Sequence, residues 1–158
     1  MRVAILTISD SAARGVREDA SGPAVRERCR ALGWESASEA ILPDDPAFVR
    51  DRLTTLADGG DVDLILTTGG TGLGPRDSTP EATAQACQKL VPGIPEVMRE
   101  TGRKANPRAA LSRAVAGVRG TTLIVNLPGS PRGAAESLDA VAALLPHAFE
   151  VLRGARHD

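Results

Sequence analysis

The sequence predicts an α/β domain with a mostly parallel sheet and one antiparallel strand. Apolar, β-branched segments alternate with segments of helical periodicity, which is typical of parallel strands joined by crossover helices. Near the C-terminus this alternation breaks, because two strand-like runs are separated only by Arg119 and Gly120. A connection this short suits an antiparallel hairpin and is too short for a crossover. These two observations together predict the mixed sheet.

Composition predicts one soluble domain over residues 1–158. The chain is 42% hydrophobic and 25% charged, and a chain of this length can bury most of its apolar surface. No run approaches the ~20 apolar residues of a membrane span, and Asp10 interrupts the N-terminal run too early for a signal peptide. Cys29 and Cys87 lie far apart without a CxxC motif, so a reducing cytoplasm is the expected location.

Charge and aromatic content argue against nucleic-acid binding. A formal net charge of -1 provides no overall field that would attract polyanions. Aromatic residues make up 2% of the chain, which leaves few side chains on which single-stranded bases could stack. We therefore expect small-molecule ligands rather than nucleic acid.

The first half of the chain contains three predicted strands and two predicted helices. Residues 3–8 are an apolar run, residues 35–42 a weaker one, and residues 62–68 the strongest. The last run is apolar enough to lie in the centre of the sheet. Apolar residues at helical spacing predict helices over residues 23–32 and 46–56.

The second half begins with helical patterns over residues 79–90 and 94–104. The antiparallel hairpin around Arg119 and Gly120 follows them. Residues 131–152 then predict a long amphipathic helix that is interrupted near Pro146.

A glycine-rich loop follows the strongest strand and contains Gly69, Gly70, Gly72 and Gly74. Glycine is favoured where φ must be positive or where a ligand approaches the backbone closely. The spacing fits neither the GxxxxGK[ST] nor the GxGxxG fingerprint. A strand end, exposed backbone N–H groups and a following helix start still predict an anion pocket.

The helix start after this loop can be drawn in two registers. Ser78 with Glu81 fits a capping box, and Thr79 with Pro80 fits a cap followed by proline in the first turn. Asp77 lies just before this helix start, where a carboxylate ordinarily interacts with the helix dipole and accepts hydrogen bonds from the free backbone N–H groups. The neighbouring glycines favour a functional role, because loops set on rigid strand ends carry function disproportionately. A second loop, residues 126–131, also ends a strand and precedes a helix, so the two loops predict one crevice.

Three segments resemble the signatures of the molybdopterin adenylyltransferase family, the MogA type of molybdenum cofactor biosynthesis. They are LTTGGTGLGPRDSTPEAT at residues 66–83, ALSRAVAGVRGTTLIVNLPGSP at residues 110–131, and LPDD at residues 42–45. The resemblance implies a three-layer α/β/α sandwich that assembles as a homotrimer. It also implies Mg²⁺-dependent attack of the terminal phosphate of molybdopterin on the α-phosphate of ATP, which releases pyrophosphate.

The resemblance also implies the residues of the site. The two functional aspartates of the family correspond to Asp44 and Asp77, which would be both catalytic and metal-binding. Asp45 remains open as a substitute ligand, and an acidic turn remains the structural alternative. The expected nucleotide- and molybdopterin-binding residues are Gly69, Gly70, Thr71, Gly72, Ser112, Asn126, Pro128 and Gly129. Arg113 could pair with a phosphate or lie on the solvated surface, and Asp10 is a further candidate.

Three functions remain open from the sequence. The first is the adenylyltransferase, for which ATP and molybdopterin are the substrates and a separate protein inserts molybdenum. The second is a MoaB-type protein that binds molybdopterin with little or no adenylyl transfer. The third is a scaffold of the same fold that binds other nucleotides or pterins. Residues 9–23 match the family less closely, so no role is assigned to them.

Overall fold

A six-stranded sheet forms the centre of the computed structural model, which describes residues 1–154. The strands are β1 (Arg2–Ile8), β2 (Glu35–Leu42), β3 (Leu64–Thr68), β4 (Lys89–Leu90), β5 (Ala116–Arg119) and β6 (Thr122–Leu127). Their order in the sheet is β2-β1-β3-β6-β5-β4. The pairs β1–β2, β1–β3 and β3–β6 are parallel, whereas β5 is antiparallel to both neighbours. The predicted mixed sheet is confirmed.

Helices cover both faces of the sheet. They are α1 (Asp10–Ala13), α2 (Ser21–Ala31), α3 (Pro46–Asp58), α4 (Thr79–Ala86), α5 (Gly93–Ala105), α6 (Pro131–Val141) and α7 (Leu145–Leu152), with a 3₁₀ turn at Pro107–Leu111. One core cluster joins one face of the sheet to α2, α5, α6 and α7, and the other joins the opposite face to α3 and α4. The three-layer α/β/α arrangement is therefore present. None of the helices in residues 1–154 is both long enough and apolar enough to cross a membrane.

Alternation along β1 shows how the sequence builds these two cores. Val3 and Ile5 belong to the first cluster, whereas Ala4 and Leu6 belong to the second. Successive side chains point to opposite faces of a strand, so a central strand covered on both faces needs apolar residues at every position. All five residues of β3 are also buried, with Leu64, Ile65 and Leu66 in the apolar cores and Thr67 and Thr68 as buried polar residues at its end.

The helix predicted over residues 79–90 is wrong beyond Ala86. Cys87 is extended, and Lys89 and Leu90 form β4 against β5. The backbone N–H groups of Gln88 and Val91 donate to the carbonyls of Val118 and Ala116 at 2.8 Å each. Hydrogen bonds to β5 therefore determine the extended conformation of this segment. A two-residue strand has no periodicity from which it could be predicted.

The predicted interruption near Pro146 is confirmed, whereas the start of α2 differs from the prediction. The break in the C-terminal helix precedes Pro146, with α6 ending at Val141 and α7 beginning at Leu145. Proline is favoured in the first turn, where its missing N–H would have no helical partner. Helix α2 begins at Ser21 rather than at residue 23, because the Asp19 carboxylate accepts from the backbone N–H groups of Ser21 and Gly22.

Candidate active site

The carboxyl ends of four parallel strands lie side by side at one edge of the sheet. Residue pairing aligns Ile8 with Leu42, and Thr68 with Leu127. The backbone N–H of Ser9, directly after β1, donates to the carbonyl of Leu42 at 2.9 Å. The loops that leave these strands therefore meet, which is where open α/β sheets usually bind ligands.

Gly69 and Gly70 have the positive φ angles that the sequence suggested, at +98° and +66°. A Cβ on Gly69 would overlap the carbonyl oxygen of Ile8, and one on Gly70 would overlap Thr79 Oγ1. Both positions therefore require glycine for two reasons, the positive φ angle and the lack of space for a Cβ. The backbone N–H of Thr79 donates to the Gly70 carbonyl at 3.1 Å, which holds the start of α4 against the loop.

Asp44 forms a reciprocal pair with Asp10 of the neighbouring loop. The backbone N–H of Asp10 donates to Asp44 Oδ2 at 2.8 Å, and the backbone N–H of Asp44 donates to Asp10 Oδ1 at 3.0 Å. Burial raises the pKa of Asp44, and the negative charges of Asp10 and Asp77 raise it further. Three carboxylates are thus close enough to interact, although they come from three separate loops.

Asp77 faces the glycine loop rather than the helix that follows it. Its Oδ2 accepts from the backbone N–H of Gly74 at 2.8 Å. A Cβ on Gly72 or Gly74 would lie 2.9 Å or 2.8 Å from this oxygen, so both glycines leave room for the carboxylate. Among residues 1–154, no side chain caps the start of α4, and Ser78 at the cap position makes no cap hydrogen bond. The predicted capping box is therefore wrong, since Glu81 pairs with Arg113 instead.

Arg76 connects the glycine loop to the loop after β1. Its Nε and Nη2 donate to Asp10 Oδ2 at 3.0 Å and 2.6 Å. The pKa of Asp10 is lowered first by the hydrogen bond from the Asp44 backbone and then by Arg76. Asp10 is therefore held as an anion between Asp44 and Arg76, while Asp45 caps α3 by accepting from the Phe48 N–H at 3.0 Å.

The residues around Asp44 and Asp77 fit a magnesium ion bound together with a phosphate. No group of three His, Cys, Asp or Glu side chains able to hold a metal occurs in residues 1–154. Mg²⁺ usually takes one or two carboxylates and completes its shell with waters and substrate phosphates. The hydroxyl of Thr79 is buried, and it has no hydrogen-bond partner among the described residues. Thr79 Oγ1 and Asp44 Oδ1 both flank Gly70, so an unsatisfied oxygen stands beside a carboxylate whose pKa is raised.

Two cavities lie on either side of the loop at residues 128–131. One, of about 280 Å³, is lined by Thr71, Gly72, Ser112, Pro128, Ser130 and residues of α5 and α6. The other, of about 400 Å³, is lined by Thr7, Ser9, Asp19, Thr68, Gly69, Gly129 and Ser130. Ser130 lines both cavities, and Asp44 and Asp77 line neither of these two. Six of the eight predicted binding residues are thus divided between these two cavities, whereas Gly70 and Asn126 line neither of them.

The loop after β6 packs directly on the glycine loop. Thr68 Oγ1 donates to the carbonyl of Pro128 at 2.7 Å, and the backbone N–H of Gly69 donates to the carbonyl of Leu127 at 3.3 Å. A Cβ on Gly129 would lie 3.2 Å from Gly69 Cα. Gly129 therefore allows the two predicted loops to pack together, and these loops with the two cavities form the crevice.

Asn126 has a supporting position in this arrangement. Its side chain is fully buried, its Oδ1 accepts from the Val115 N–H, and its Nδ2 donates to Thr67 Oγ1 and Thr83 Oγ1. These hydrogen bonds join β6 to β3 and α4. The side chain therefore holds the elements that carry the loops, and it lines neither cavity.

Arg113 has a side chain that is 34% exposed, and it lines neither of the two cavities. Its guanidinium donates to the backbone carbonyls of Gly72 and Asp77, each at 2.8 Å, and pairs with Glu81. Ser112 beside it lines the smaller cavity, and its binding role stays a prediction. Sequence reasoning assigned no role to Arg76 and Ser130, whose only signals are their positions within the two loops, and it assigned Thr79 only to the start of a helix.

Comparisons with known proteins show which family the chain resembles. The family described as "Probable molybdopterin binding domain" matches residues 4–147. The molybdopterin adenylyltransferase of Helicobacter pylori (strain J99) is 40% identical over 156 residues, covering 98% of this chain and 89% of that protein. The molybdopterin adenylyltransferase of Escherichia coli (strain K12) is 36% identical over 168 residues, covering 98% and 86%. The chain is 51% identical in sequence to the molybdopterin biosynthesis enzyme MoaB from Thermus thermophilus. The crystal structure of that protein superposes with a TM-score of 0.91 and covers 99% of each chain.

These similarities extend over almost the whole chain and include both loops of the crevice. The family match contains Asp44, the glycine loop with Asp77, and the loop after β6. The matched relatives are themselves covered along nearly all of their length. The chain therefore belongs to the family of molybdopterin-binding domains that includes molybdopterin adenylyltransferases and MoaB.

Proposed function

We propose that the protein is a Mg²⁺-dependent molybdopterin adenylyltransferase of molybdenum cofactor biosynthesis. An oxygen of the terminal phosphate of molybdopterin attacks the α-phosphorus of ATP. The bond between the α-phosphorus and the oxygen bridging to the β-phosphate breaks, and pyrophosphate leaves. The products are adenylyl-molybdopterin and pyrophosphate. Two relatives are named molybdopterin adenylyltransferase, which supports this reaction.

The observation that carries this proposal is that two carboxylates flank the glycine loop, Asp44 beside Gly70 and Asp77 beside Gly72. The pKa of Asp44 is raised partly by the charge of Asp77, so the two carboxylates repel each other in the free protein. A divalent cation between them would remove that repulsion, and carboxylate oxygens are the ligands that Mg²⁺ prefers. The ion would supply charge stabilisation for the transferring phosphate.

The remaining residues would position substrates around this centre. The backbone at Gly69, Gly70, Thr71 and Gly72 would contact phosphates or adenosine, since Gly69 lines the larger of the two cavities and Thr71 and Gly72 line the smaller. Ser112, Pro128 and Gly129 would form the walls of the two cavities. Asn126 would act through the loops that it supports. Binding between fixed walls lowers the entropy cost of bringing two large substrates together.

The test is single-turnover formation of adenylyl-molybdopterin from purified protein, ATP, molybdopterin and Mg²⁺. We expect product and pyrophosphate in equal amounts, and we expect chelation of Mg²⁺ to stop the reaction. Binding of both substrates without product at any Mg²⁺ concentration would reject the proposed activity.

A molybdopterin-binding protein without efficient transfer is the second candidate. The observation that introduces it is the 51% identity to MoaB from Thermus thermophilus, a molybdopterin biosynthesis enzyme whose name does not state adenylyl transfer. Both candidates need the same crevice, so binding alone does not separate them. Pyrophosphate release in the presence of molybdopterin identifies the adenylyltransferase, and molybdopterin binding without release identifies the second candidate.

Several further properties are part of the same proposal. We infer one molybdopterin-binding domain over residues 1–158, assembly as a homotrimer, and a cytoplasmic location. We also infer that a separate protein inserts molybdenum after adenylylation. Sedimentation of the purified chain tests the trimer directly.

A further inference from the structure

The Arg113 side chain spans the segment of the glycine loop that carries Asp77. Its Nε donates to the Gly72 carbonyl and its Nη2 to the Asp77 carbonyl, at 2.8 Å each. The Arg113 backbone N–H donates to the Thr71 carbonyl at 2.9 Å. One residue therefore holds both the beginning and the end of residues 72–77.

Within these two anchor points the chain forms a closed turn. The backbone N–H of Asp77 donates to the Gly74 carbonyl at 3.0 Å, and the Gly74 N–H donates to Asp77 Oδ2 at 2.8 Å. The direction of the Asp77 carboxylate therefore depends on where residues 72–77 are held. Arg113 connects that segment to the rigid β5 side of the sheet, because the Asn126 side chain accepts from the N–H of Val115 two residues later.

The bonding pattern requires an arginine. A guanidinium has five N–H donors in a planar fork, whereas a lysine ammonium is a single point from which three donors diverge. Arg113 uses this fork to reach two backbone carbonyls and the carboxylate of Glu81 at once. The hydrogen bond from Arg113 also lowers the pKa of Glu81, so Glu81 stays ionised as its partner. A lysine would keep the charge but could not hold both carbonyls in the same geometry.

We propose that Arg113 is a positioning residue that fixes residues 72–77, and with them the Asp77 carboxylate, for adenylyl transfer. This inference rests on the proposed function. Arg113 does not line either cavity described above, so it acts through Asp77 and the Gly72 backbone rather than on a substrate. A change at Arg113 should therefore lower kcat and weaken the response to Mg²⁺ while leaving KM for ATP nearly unchanged.

The experiment compares Arg113→Lys with Arg119→Lys. Arg119 makes the same kind of contacts, with two hydrogen bonds to the Asp58 carboxylate and one to the Ala86 carbonyl. It lies at the end of β5 that pairs with the beginning of β6, on the opposite edge of the sheet from the crevice. Each substitution removes a guanidinium that donates to a backbone carbonyl, but only Arg113→Lys removes it at the glycine loop.

We expect Arg113→Lys to lose about 100-fold in kcat, since misplacement by about 1 Å can cost that much. Arg119→Lys should retain the kcat of the unmodified protein. Hydrogen exchange supplies a readout that is independent of turnover. The Gly74 amide should exchange about tenfold faster or more in Arg113→Lys, because local opening controls its exchange, and should not change in Arg119→Lys.

Glu81→Gln provides a graded comparison. It removes one charge but leaves both backbone carbonyls for Arg113, so its loss of kcat should be smaller than that of Arg113→Lys. Equal kcat and equal Gly74 exchange in the two lysine variants would overturn the positioning role. Absence of adenylyl transfer in the unmodified protein would reject the proposed function instead, and the exchange comparison would still decide whether Arg113 holds the loop.

Discussion

Replacing Thr79 by valine should stabilise the protein, which is unusual for a change at a buried site. The Thr79 side chain is 1% exposed, and its hydroxyl has no partner among residues 1–154. An unsatisfied buried polar group costs about 1–3 kcal/mol. Valine has nearly the same shape and removes that group, while threonine and valine have similar helix propensities. We therefore expect the free energy of unfolding to rise by about 1–3 kcal/mol.

Thr83→Val is the matched control, because it makes the same change one turn later in α4. Thr83 is also fully buried, but its Oγ1 accepts from Asn126 Nδ2 at 2.8 Å. Losing that acceptor leaves an amide hydrogen unsatisfied, so Thr83→Val should lower the free energy of unfolding by about 1–3 kcal/mol. Urea unfolding followed by circular dichroism measures both changes. Equal destabilisation by the two variants would refute the assignment of an unsatisfied hydroxyl at Thr79.

Three further predictions concern the loops, pH and assembly. Gly70→Val should destabilise the fold more than Gly72→Val, because only Gly70 has a positive φ; equal urea midpoints would contradict this. The pKa of Asp44 is raised on folding, so its ionised form opposes folding at neutral pH and this effect disappears as the pH falls. Asp44→Asn should therefore raise the urea midpoint at pH 7, with the gain shrinking in acid. Asp10→Asn should lower the midpoint at pH 7, because the pKa of Asp10 is lowered; changes of the same sign for both would refute this interpretation. Sedimentation at micromolar concentration should show a trimer, and a monomer would reject the proposed assembly.

The elements that carry the crevice could be predicted from the sequence, because local patterns determine them. Strand β3 begins with three consecutive large apolar residues, and the positive φ angles at Gly69 and Gly70 agree with the clustering of glycine after it. The hairpin of β5 and β6 follows from its short connection. Strand β4 could not be predicted, because it depends on a contact with a residue distant in sequence. Cys87 and Lys89 pack so closely on Gly117 of β5 that a side chain there would overlap them.

The contacts within the site were less accessible, because they join residues that are distant in sequence. Asp10 and Asp44 are separated by 34 positions, and Arg113 and Asp77 by 36. The capping-box prediction failed for the same reason, since Arg113 attracts the Glu81 side chain away from the helix start. Local sequence identifies a capping residue, but a charged partner from another element determines which contact is made.

Single-turnover adenylyl transfer by Asp44→Asn and Asp77→Asn, measured across a Mg²⁺ titration, tests the central proposal most directly. Asp45→Asn is the control, because Asp45 caps α3 and asparagine caps equally well. We expect both Asp44→Asn and Asp77→Asn to bind molybdopterin and to lose roughly 100-fold or more in rate, with the Mg²⁺ requirement shifted to higher concentration. Asp45→Asn should retain the unmodified rate. Unmodified rates in the Asp44 and Asp77 variants would contradict the proposal, and would leave their carboxylates as structural partners of Asp10 and Gly74.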